Sequence, residues 1–371
     1  MRKKVPFVDL AIQYKRHGEE MLSAVEKCFA GGDFILREDL DLFEKNIANH
    51  LGMKYAVGLN SGQDALFLSL KAIGIEDDDE VITVGFTCVA TLAAIALCGA
   101  KPILIDVCDD FNMDVSLIEK AITPKTKAIM PVHLNGRVCN MGEVMRIANK
   151  HNLIVVEDAA QAMNAKFNGQ LAGTFGLINC FSLYPMKVLG GAGDGGFITT
   201  NDEQLAKKII CYRDLGQDRE TGDVIAYGYN SRLDNMQAAI LNTKIKYLDG
   251  FVDRRREIAQ MYFNGLSHLK QLNLPPSTDE NNMYFDVYQN YVIRAENRDE
   301  LVKYLSDNGV ETLISWYLSK PLHYHKALEL DHFQLPQTEQ FAKECVSLPQ
   351  NTEICDEQIQ YVIKMVKNFY Q

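Results

Sequence analysis

From Tyr55 onward, apolar and polar residues follow each other in regular blocks. Short apolar runs rich in β-branched residues stand at 56–60 (AVGLN), 81–84 (VITV), 102–107 (PILIDV), 128–134 (AIMPVHL), 153–158 (LIVVED), 179–184 (NCFSLY) and 195–200 (GGFITT). Most lack polar alternation, the pattern of strands covered on both faces. Segments of helical period separate the first five: SGQDALFLSLKAIG, VATLAAIALCG, DVSLIEKAI and MGEVMRIANKHN. This alternation predicts an α/β fold built on a seven-stranded, mostly parallel sheet.

The rhythm breaks after Asp158. Neither the stretch from Asp158 to Asn179 nor that from Tyr184 to Gly195 has helical period. The second is short for a parallel crossover, so the last strand is expected to run antiparallel to its neighbour. Helix-free connections at the strand ends of such a sheet are where ligands bind. Ahead of the sheet, EEMLSAVEKCFAGG and REDLDLFEKNIANHLG read as helices, and after it comes a long helical pattern from Asp234 to Leu266. LNLPPSTDENN then reads as a loop. NYVIR and VETLIS read as strands, with the helix ENRDELVKYLSDNG between them, and EQIQYVIKMVKNFY closes the chain as a helix. These patterns predict a large unit over 1–249 that includes the N-terminal segment, and a smaller α+β unit over 250–371.

Composition narrows the function classes. A net charge of −11 over 371 residues argues against a nucleic-acid or membrane-surface partner, both of which select a basic face. The longest apolar run, Val89 to Ala100, falls short of the roughly 20 residues of a membrane span and reads as a buried helix. The opening MRKKVPFVDL has the charged end of a secretion signal with no apolar stretch behind it, so a cytoplasmic location is expected. Nine cysteines, at 28, 88, 98, 108, 139, 180, 211, 345 and 355, form no C-x-x-C pair. No metal site is expected from that spacing, and the thiols read as reduced, small hydrophobes in the core.

Three places could carry chemistry. At Asn60-Ser61-Gly62-Gln63-Asp64 a strand gives way to a helix, whose free N–H groups and positive dipole end can bind an anion; a plain helix cap fits the same residues. Asp158, beside Glu157, ends the most apolar strand, where a carboxylate needs a partner such as a protonated ring nitrogen, or caps the next turn. Lys187 precedes five glycines within 190–196. A lysine in so tight a loop is expected to be desolvated and nucleophilic, unless it is a surface lysine beside a flexible loop. An anion-binding helix start, a strand-end Asp and a loop Lys are together the three contacts that pyridoxal phosphate needs.

These residues sit in a longer series: PFVDL, GGDFILRED, NSGQDAL, GAKPILIDV, VEDAAQA, FSLYPMKVLGGAGDGG, YGYNSRLDNMQAAIL and SLPQNTEI. In this order and at these intervals the series resembles the DegT/DnrJ/EryC1/StrS family of sugar-nucleotide aminotransferases. That resemblance implies a fold-type-I aminotransferase with pyridoxal 5'-phosphate as cofactor and active sites shared across a homodimer. It implies that Lys187 holds the cofactor and moves protons, and that Asp158 pairs with the ring nitrogen. Gln161 would lie near the ring's 3-oxygen. Gly62, Gln63 and Ser182 would bind the phosphate, and Asn230 would reach the phosphate in the partner subunit.

Two positions depart from the family pattern. Cys88 stands where an aromatic ring usually stacks on the cofactor, and Arg37 stands where glycine is common. Arg37, Tyr184 and His323 are the candidate substrate contacts. The loop ending Gly193-Asp194-Gly195-Gly196 after Tyr184-Pro185 is similar to members acting on 3-keto sugars. The resemblance thus implies amino transfer from L-glutamate to a dTDP-linked 3-keto-6-deoxyhexose, giving a 3-amino sugar for glycan assembly such as lipopolysaccharide or S-layer glycan; a 4-keto or a UDP-linked sugar is the alternative. Because a pyrophosphate would be bound, basic side chains are expected around the cleft despite the acidic total. A dehydratase of the same fold would carry His in place of Lys187, and a non-catalytic binding protein finds its one mark in Cys88.

Overall fold

The computed structural model describes residues 4–278, 283–314 and 319–371. Two helices, α1 (Leu10–Gly31) and α2 (Glu38–Leu51), precede the sheet. Then come β1 (Tyr55–Leu59), α3 (Gly62–Ala72), β2 (Glu80–Val84), α4 (Val89–Leu97), β3 (Lys101–Ile105), the short α5 (Ile118–Ala121), β4 (Thr126–Ile129), α6 (Met141–His151) and β5 (Ile154–Asp158). The pattern in DVSLIEKAI yields less helix than expected: a 3-10 turn over Val115–Leu117 runs into α5. A small hairpin, β6 (Lys166–Phe167) and β7 (Gln170–Leu171), fills the helix-free connection to β8 (Ile178–Ser182), and β9 (Gly196–Thr200) completes the sheet.

The sheet has seven strands in the order β1-β9-β8-β5-β4-β2-β3. β9 is antiparallel to both β8 and β1, and every other pairing is parallel. Both faces are buried, as the unbroken apolar runs require. Ile82, Ile129, Val155, Phe181 and Phe197 pack into one core, while their chain neighbours Val81, Ala128, Val156, Cys180 and Ile198 pack into another. This is the two-residue period of a strand read on both sides at once. Phe181 and Phe197 stack with ring centroids 4.5 Å apart.

Three helices follow: α7 (Glu203–Arg213), which no sequence pattern marks, α8 (Asn235–Lys244) and α9 (Leu248–Leu266). Residue 250 lies in the first turn of α9. Leu248 and Val252 of this helix join the core of the large sheet; Ile258, Ala259, Tyr262 and Leu266 join a separate core. Beyond α9, β10 (Leu272–Asn273) enters the smaller unit, and β11 (Tyr284–Phe285) turns back to pair with β6. The separate core is completed by β12 (Tyr291–Ala295), α10 (Arg298–Asp307), β13 (Cys345–Leu348) and α12 (Asp356–Tyr370), with α11 (Pro336–Glu344) leading into β13. The three-stranded sheet here runs β10, β12, β13.

VETLIS does not form the expected strand. Val310 makes an isolated bridge to Val5 and Leu313 one to Ser347, while Ser315 lies outside the described residues. β12 is instead flanked by β10 and by β13, the latter four residues long and too brief to stand out as a pattern. The Val5 bridge also carries the N-terminal segment into the smaller core. The nine cysteines are all free, but Cys108 and Cys355 are exposed and only Cys28, Cys98, Cys139, Cys180 and Cys345 are buried, so core packing accounts for five of them. Among the described residues no helix is long and apolar enough to cross a membrane.

Candidate active site

The carboxyl ends of β1, β5 and β8 meet the N-terminus of α3 around one cleft of about 870 Å³. Ser61 caps α3, its Oγ accepting the Asp64 N–H at 3.0 Å. Gly62 and Gln63 in the first turn line the cleft. N–H groups of a first turn have no carbonyl within the helix to bond, and the helix dipole is positive there. Glycine is needed at both neighbouring surfaces. A Cβ on Gly62 would stand 2.7 Å from Cβ of Ser182, and one on Gly196 would stand 2.3 Å from the Ser61 carbonyl oxygen. Ser182 also lines the cleft, so the helix start and the end of β8 form one cradle.

Asp158 is buried at the end of β5. Its Oδ2 accepts a hydrogen bond from Thr91 Oγ1 at 2.9 Å, and its Oδ1 accepts the Ala160 N–H at 3.2 Å. Burial pushes its carboxyl above the ordinary value; the Thr91 and Ala160 hydrogen bonds and the nearby Lys187 and His133 pull the other way. Lys187 shows the complementary effect. Burial pulls its amine below the ordinary lysine value, opposed by Asp158 and Cys88. The pair thus share one poorly solvated space, where a neutral amine and an ionised carboxylate each depend on local partners.

The loop bearing Lys187 is held from behind by Gln289. Its Oε1 accepts the Val188 N–H and its Nε2 donates to the Met186 carbonyl, both at 2.8 Å. Downstream, Gln237 Oε1 accepts the Ala192 N–H at 2.8 Å, and Lys244 Nζ donates to the Gly190 carbonyl. A glycine-rich loop would otherwise sample many conformations. These side-chain clamps, not the glycines, fix where the amine stands. Sequence reading missed Gln289, because it lies 102 positions from Lys187 in a segment without a motif. Thr91 had a local signal, a second threonine four residues after Thr87 across the start of α4.

Glu157, the neighbour of Asp158, points to the other face of the sheet. Its carboxylate accepts the N–H groups of Gly173, Phe175 and Gly176 at 2.7, 2.6 and 2.7 Å. The ring of His133 completes the set, with Nε2 at 2.8 Å. Gln161 lies on the cleft wall with Oε1 accepting the Asn135 N–H at 2.8 Å and Asn290 Nδ2 at 3.4 Å.

Of the residues expected from sequence, Gly62, Gln63, Cys88, Asp158, Gln161, Ser182, Tyr184 and Lys187 all line the cleft. Cys88 stands at the cap position of α4, and burial raises its thiol above the ordinary value. Three are not brought there. Arg37 is exposed, faces Asp33 at 3.4 Å and lies outside the cleft of its own chain. His323 is fully buried beneath a satellite cluster, its Nε2 at 3.2 Å from Glu339 Oε1, because an imidazole without water needs a fixed partner. Asn230 lies outside the cleft of its own chain. Its Oδ1 accepts from Arg232 Nη2 at 2.7 Å and its carbonyl from Asn60 Nδ2 at 3.4 Å. The expected excess of positive charge is also absent from a single chain: Lys187 is the one cation among the described lining residues, against Asp158 and Asp194.

The family profile described as the DegT/DnrJ/EryC1/StrS aminotransferase family matches residues 15–367. Among curated proteins, the chain is 40% identical over 371 residues to a pleiotropic regulatory protein of Geobacillus stearothermophilus, covering 99% of each chain. It is 41% identical over 347 residues to a dTDP-3-amino-3,4,6-trideoxy-alpha-D-glucose transaminase of Micromonospora megalomicea subsp. nigra, covering 91% of each. Among solved structures, DesV of S. venezuelae in complex with a ketimine intermediate superposes with a TM-score of 0.95 at 36% identity, covering 100% of this chain and 99% of that one. With a cleft that presents a desolvated lysine, a buried aspartate and a helix N-terminus, this chain belongs to the DegT/DnrJ/EryC1/StrS aminotransferase family.

Proposed function

We propose that this aminotransferase moves an amino group from L-glutamate to a nucleotide-linked keto sugar, a dTDP-3-keto-6-deoxyhexose in the first instance. The observation that carries the reading is the meeting of Lys187, Asp158 and the α3 N-terminus in one cleft. Pyridoxal phosphate supplies an aldehyde that exchanges amino groups and a ring that draws electrons from the reacting carbon. The residues fit that cofactor: the Gly62–Ser182 approach leaves a cradle that a single Cβ would fill, and a partly desolvated amine faces a buried carboxylate.

In this reading each side chain has a defined task. Gly62 and Gln63 give N–H groups to the phosphate, and Ser182 adds its hydroxyl. Asp158 would keep the ring nitrogen protonated, and Gln161, on the cleft wall, would serve the 3-oxygen. Lys187 would hold the cofactor covalently and, once its amine is free again, would carry the proton that the reaction moves. The depressed basicity of Lys187 suits both tasks, since a neutral amine is needed to attack and to accept a proton. Cys88 would offer the ring face a smaller platform than an aromatic side chain, and Tyr184, also on the cleft wall, would meet the sugar.

Among the described residues that line the cleft, Lys187 is the one cation available to the pyrophosphate of the substrate. That deficit supports a homodimer in which Asn230 and the segment around it complete the partner's site. Val224, Ile225 and Tyr227 of this segment are among the most exposed large apolar side chains of the chain. Large unit 1–249 would then hold the cofactor and unit 250–371 close over the sugar, and the nine unpaired thiols support a reducing, cytoplasmic setting.

The Tyr184-Pro185 start and the Gly193-Asp194-Gly195-Gly196 end of the lysine loop favour amination at C3, and the product is a 3-amino sugar for glycan assembly. The test is a panel of dTDP-, UDP- and GDP-linked keto sugars with glutamate, read by mass spectrometry of the product. Amination at C4 would overturn the 3-keto assignment, and no reaction with any amino donor would favour a binding or regulatory role.

A further inference from the structure

From Asp158 two threonine hydroxyls stand in line, the second of them, Thr87, on the wall of the cleft. Thr91 Oγ1 lies 2.9 Å from Asp158 Oδ2, and Thr87 Oγ1 lies 2.9 Å from Thr91 Oγ1. All three residues are buried, with exposures of 1% for Thr87, 0% for Thr91 and 5% for Asp158. The direction of the line follows from counting protons. An ionised carboxylate only accepts, so the single hydroxyl proton of Thr91 goes to Asp158. Thr91 oxygen can then only accept from its neighbour, which makes Thr87 the donor. Such a line cannot pass a proton onward without reversing both hydroxyls, so it holds a charge in place and does not conduct one.

The line also spans the start of α4. Thr87 precedes the cap residue Cys88, Thr91 closes the first turn, and the Thr91 N–H donates to the Cys88 carbonyl at 3.1 Å. The turn that carries Cys88 is therefore tied to the Asp158 carboxylate.

We propose that Thr91, backed by Thr87, is the positioning residue that keeps Asp158 ionised and aimed at the cofactor ring. This role rests on the proposed pairing of Asp158 with the ring nitrogen. Other groups face the same carboxylate and must be counted. Lys187 on the loop after β8 and His133 after β4 favour the ionised form. Glu157 precedes it on β5, and Cys88 before α4, Cys139 before α6 and Cys180 on β8 lie close enough to feel its charge. Thr91 Oγ1 and the Ala160 N–H are the hydrogen-bond donors to the carboxylate among the described residues. Of the two, only Thr91 can be removed by substitution without altering the backbone.

The experiment measures cofactor retention against pH, by the absorbance of bound pyridoxal phosphate, in Thr91→Val, Thr91→Ser, Thr87→Val and Asp158→Asn enzymes. Losing the Thr91 donor raises the pH at which Asp158 takes up a proton, so retention should fail at higher pH as the solution is acidified. The expected shift of the acid midpoint is about one pH unit for Thr91→Val, a tenfold change in the proton equilibrium. Thr87→Val should give a smaller shift of the same sign, and Thr91→Ser should restore the wild-type midpoint. Thermal melting of the cofactor-free proteins checks folding, and a merely structural role would lower retention equally at every pH. A Thr91→Val midpoint that coincides with wild type, while Asp158→Asn loses the cofactor, overturns the role of Thr91 alone. Full retention in Asp158→Asn overturns the assignment of Asp158 and the role of Thr91 with it.

Discussion

The ring of His133 and the carboxylate of Glu157 form a fully buried pair, 2.8 Å apart, on the face of β5 opposite Asp158. The Cys139 N–H donates to His133 Nδ1 at 3.2 Å, which leaves Nε2 as the protonated nitrogen aimed at Glu157. With three backbone N–H groups on the same carboxylate, every lone pair has a use and the charge has no access to water. Glu157→Gln replaces an acceptor by an amide NH₂ facing donors. The expected cost is about 3 kcal/mol of unfolding free energy, measured by urea denaturation of the cofactor-free protein. A change below about 0.5 kcal/mol would show that the four contacts do not hold the 173–176 loop.

Lys187→Ala should abolish the visible band that borohydride fixes to the protein. The fold should persist, since the loop is anchored by Gln289 and Gln237 rather than by the lysine itself. A reducible adduct that survives in the variant would show another lysine to be the attachment point, and peptide mapping of the reduced protein would identify it.

The approach of Gly62 to Ser182 makes a strong demand on side-chain size. Gly62→Ala puts a methyl 2.7 Å from Cβ of Ser182 and 3.1 Å from its Cα. Relief requires α3 to back away from β8, opening the phosphate cradle. We expect cofactor affinity to fall roughly tenfold or more and stability to fall by about 1–3 kcal/mol. Titration with pyridoxal phosphate against titration with inorganic phosphate, read by fluorescence, separates a damaged phosphate site from a damaged lysine.

Much of the fold was legible because the strands of the main sheet are apolar on both faces. Runs such as LIVVED admit no other reading once helical segments separate them. The site was legible where one residue type carries one chemistry, as at Lys187 and Asp158. Gln289 was not, because its clamp exists only through contacts distant in sequence, and the local Thr87–Thr91 spacing gave no hint that Thr91 reaches Asp158. His323 misled for a related reason. An isolated histidine in a loop looks available, and only the packing of Glu339 against it shows that its ring is already engaged. The strand at VETLIS failed because two isolated bridges suffice to hold that segment, and its β-branched residues serve the core without a ladder.

Lys244 offers a pH test that is independent of the cofactor. It is buried beneath the glycine loop, donating to the Gly190 carbonyl and to Gln13 Oε1, and burial pulls its amine down to about 8. The unfolded chain keeps the proton to about pH 10.4, so between pH 8 and that value the unfolded state binds more protons and stability rises with pH. Relative to Lys244→Met, the wild type should gain up to about 3 kcal/mol across this window, since each pH unit between the two values is worth about 1.4 kcal/mol. Denaturant midpoints for both proteins at pH 7.5, 9 and 10 give the comparison, and parallel curves would show that the amine titrates as if in water.

Strand β1 stands at the edge of the main sheet, and its one partner is β9, with Leu59 opposite Gly196. A chain emerging from the ribosome therefore makes its first strand long before the strand that covers it. β2, β3, β4 and β5 can assemble in order while β1 waits, its apolar row unpaired. Closing that long loop is slow, and exposed strand edges invite association with other chains. The helix start behind β1 and the lysine loop before β9 come together in the same late event. The cleft is incomplete until β9 has docked between β1 and β8, so a cofactor that binds the finished site favours the completed sheet.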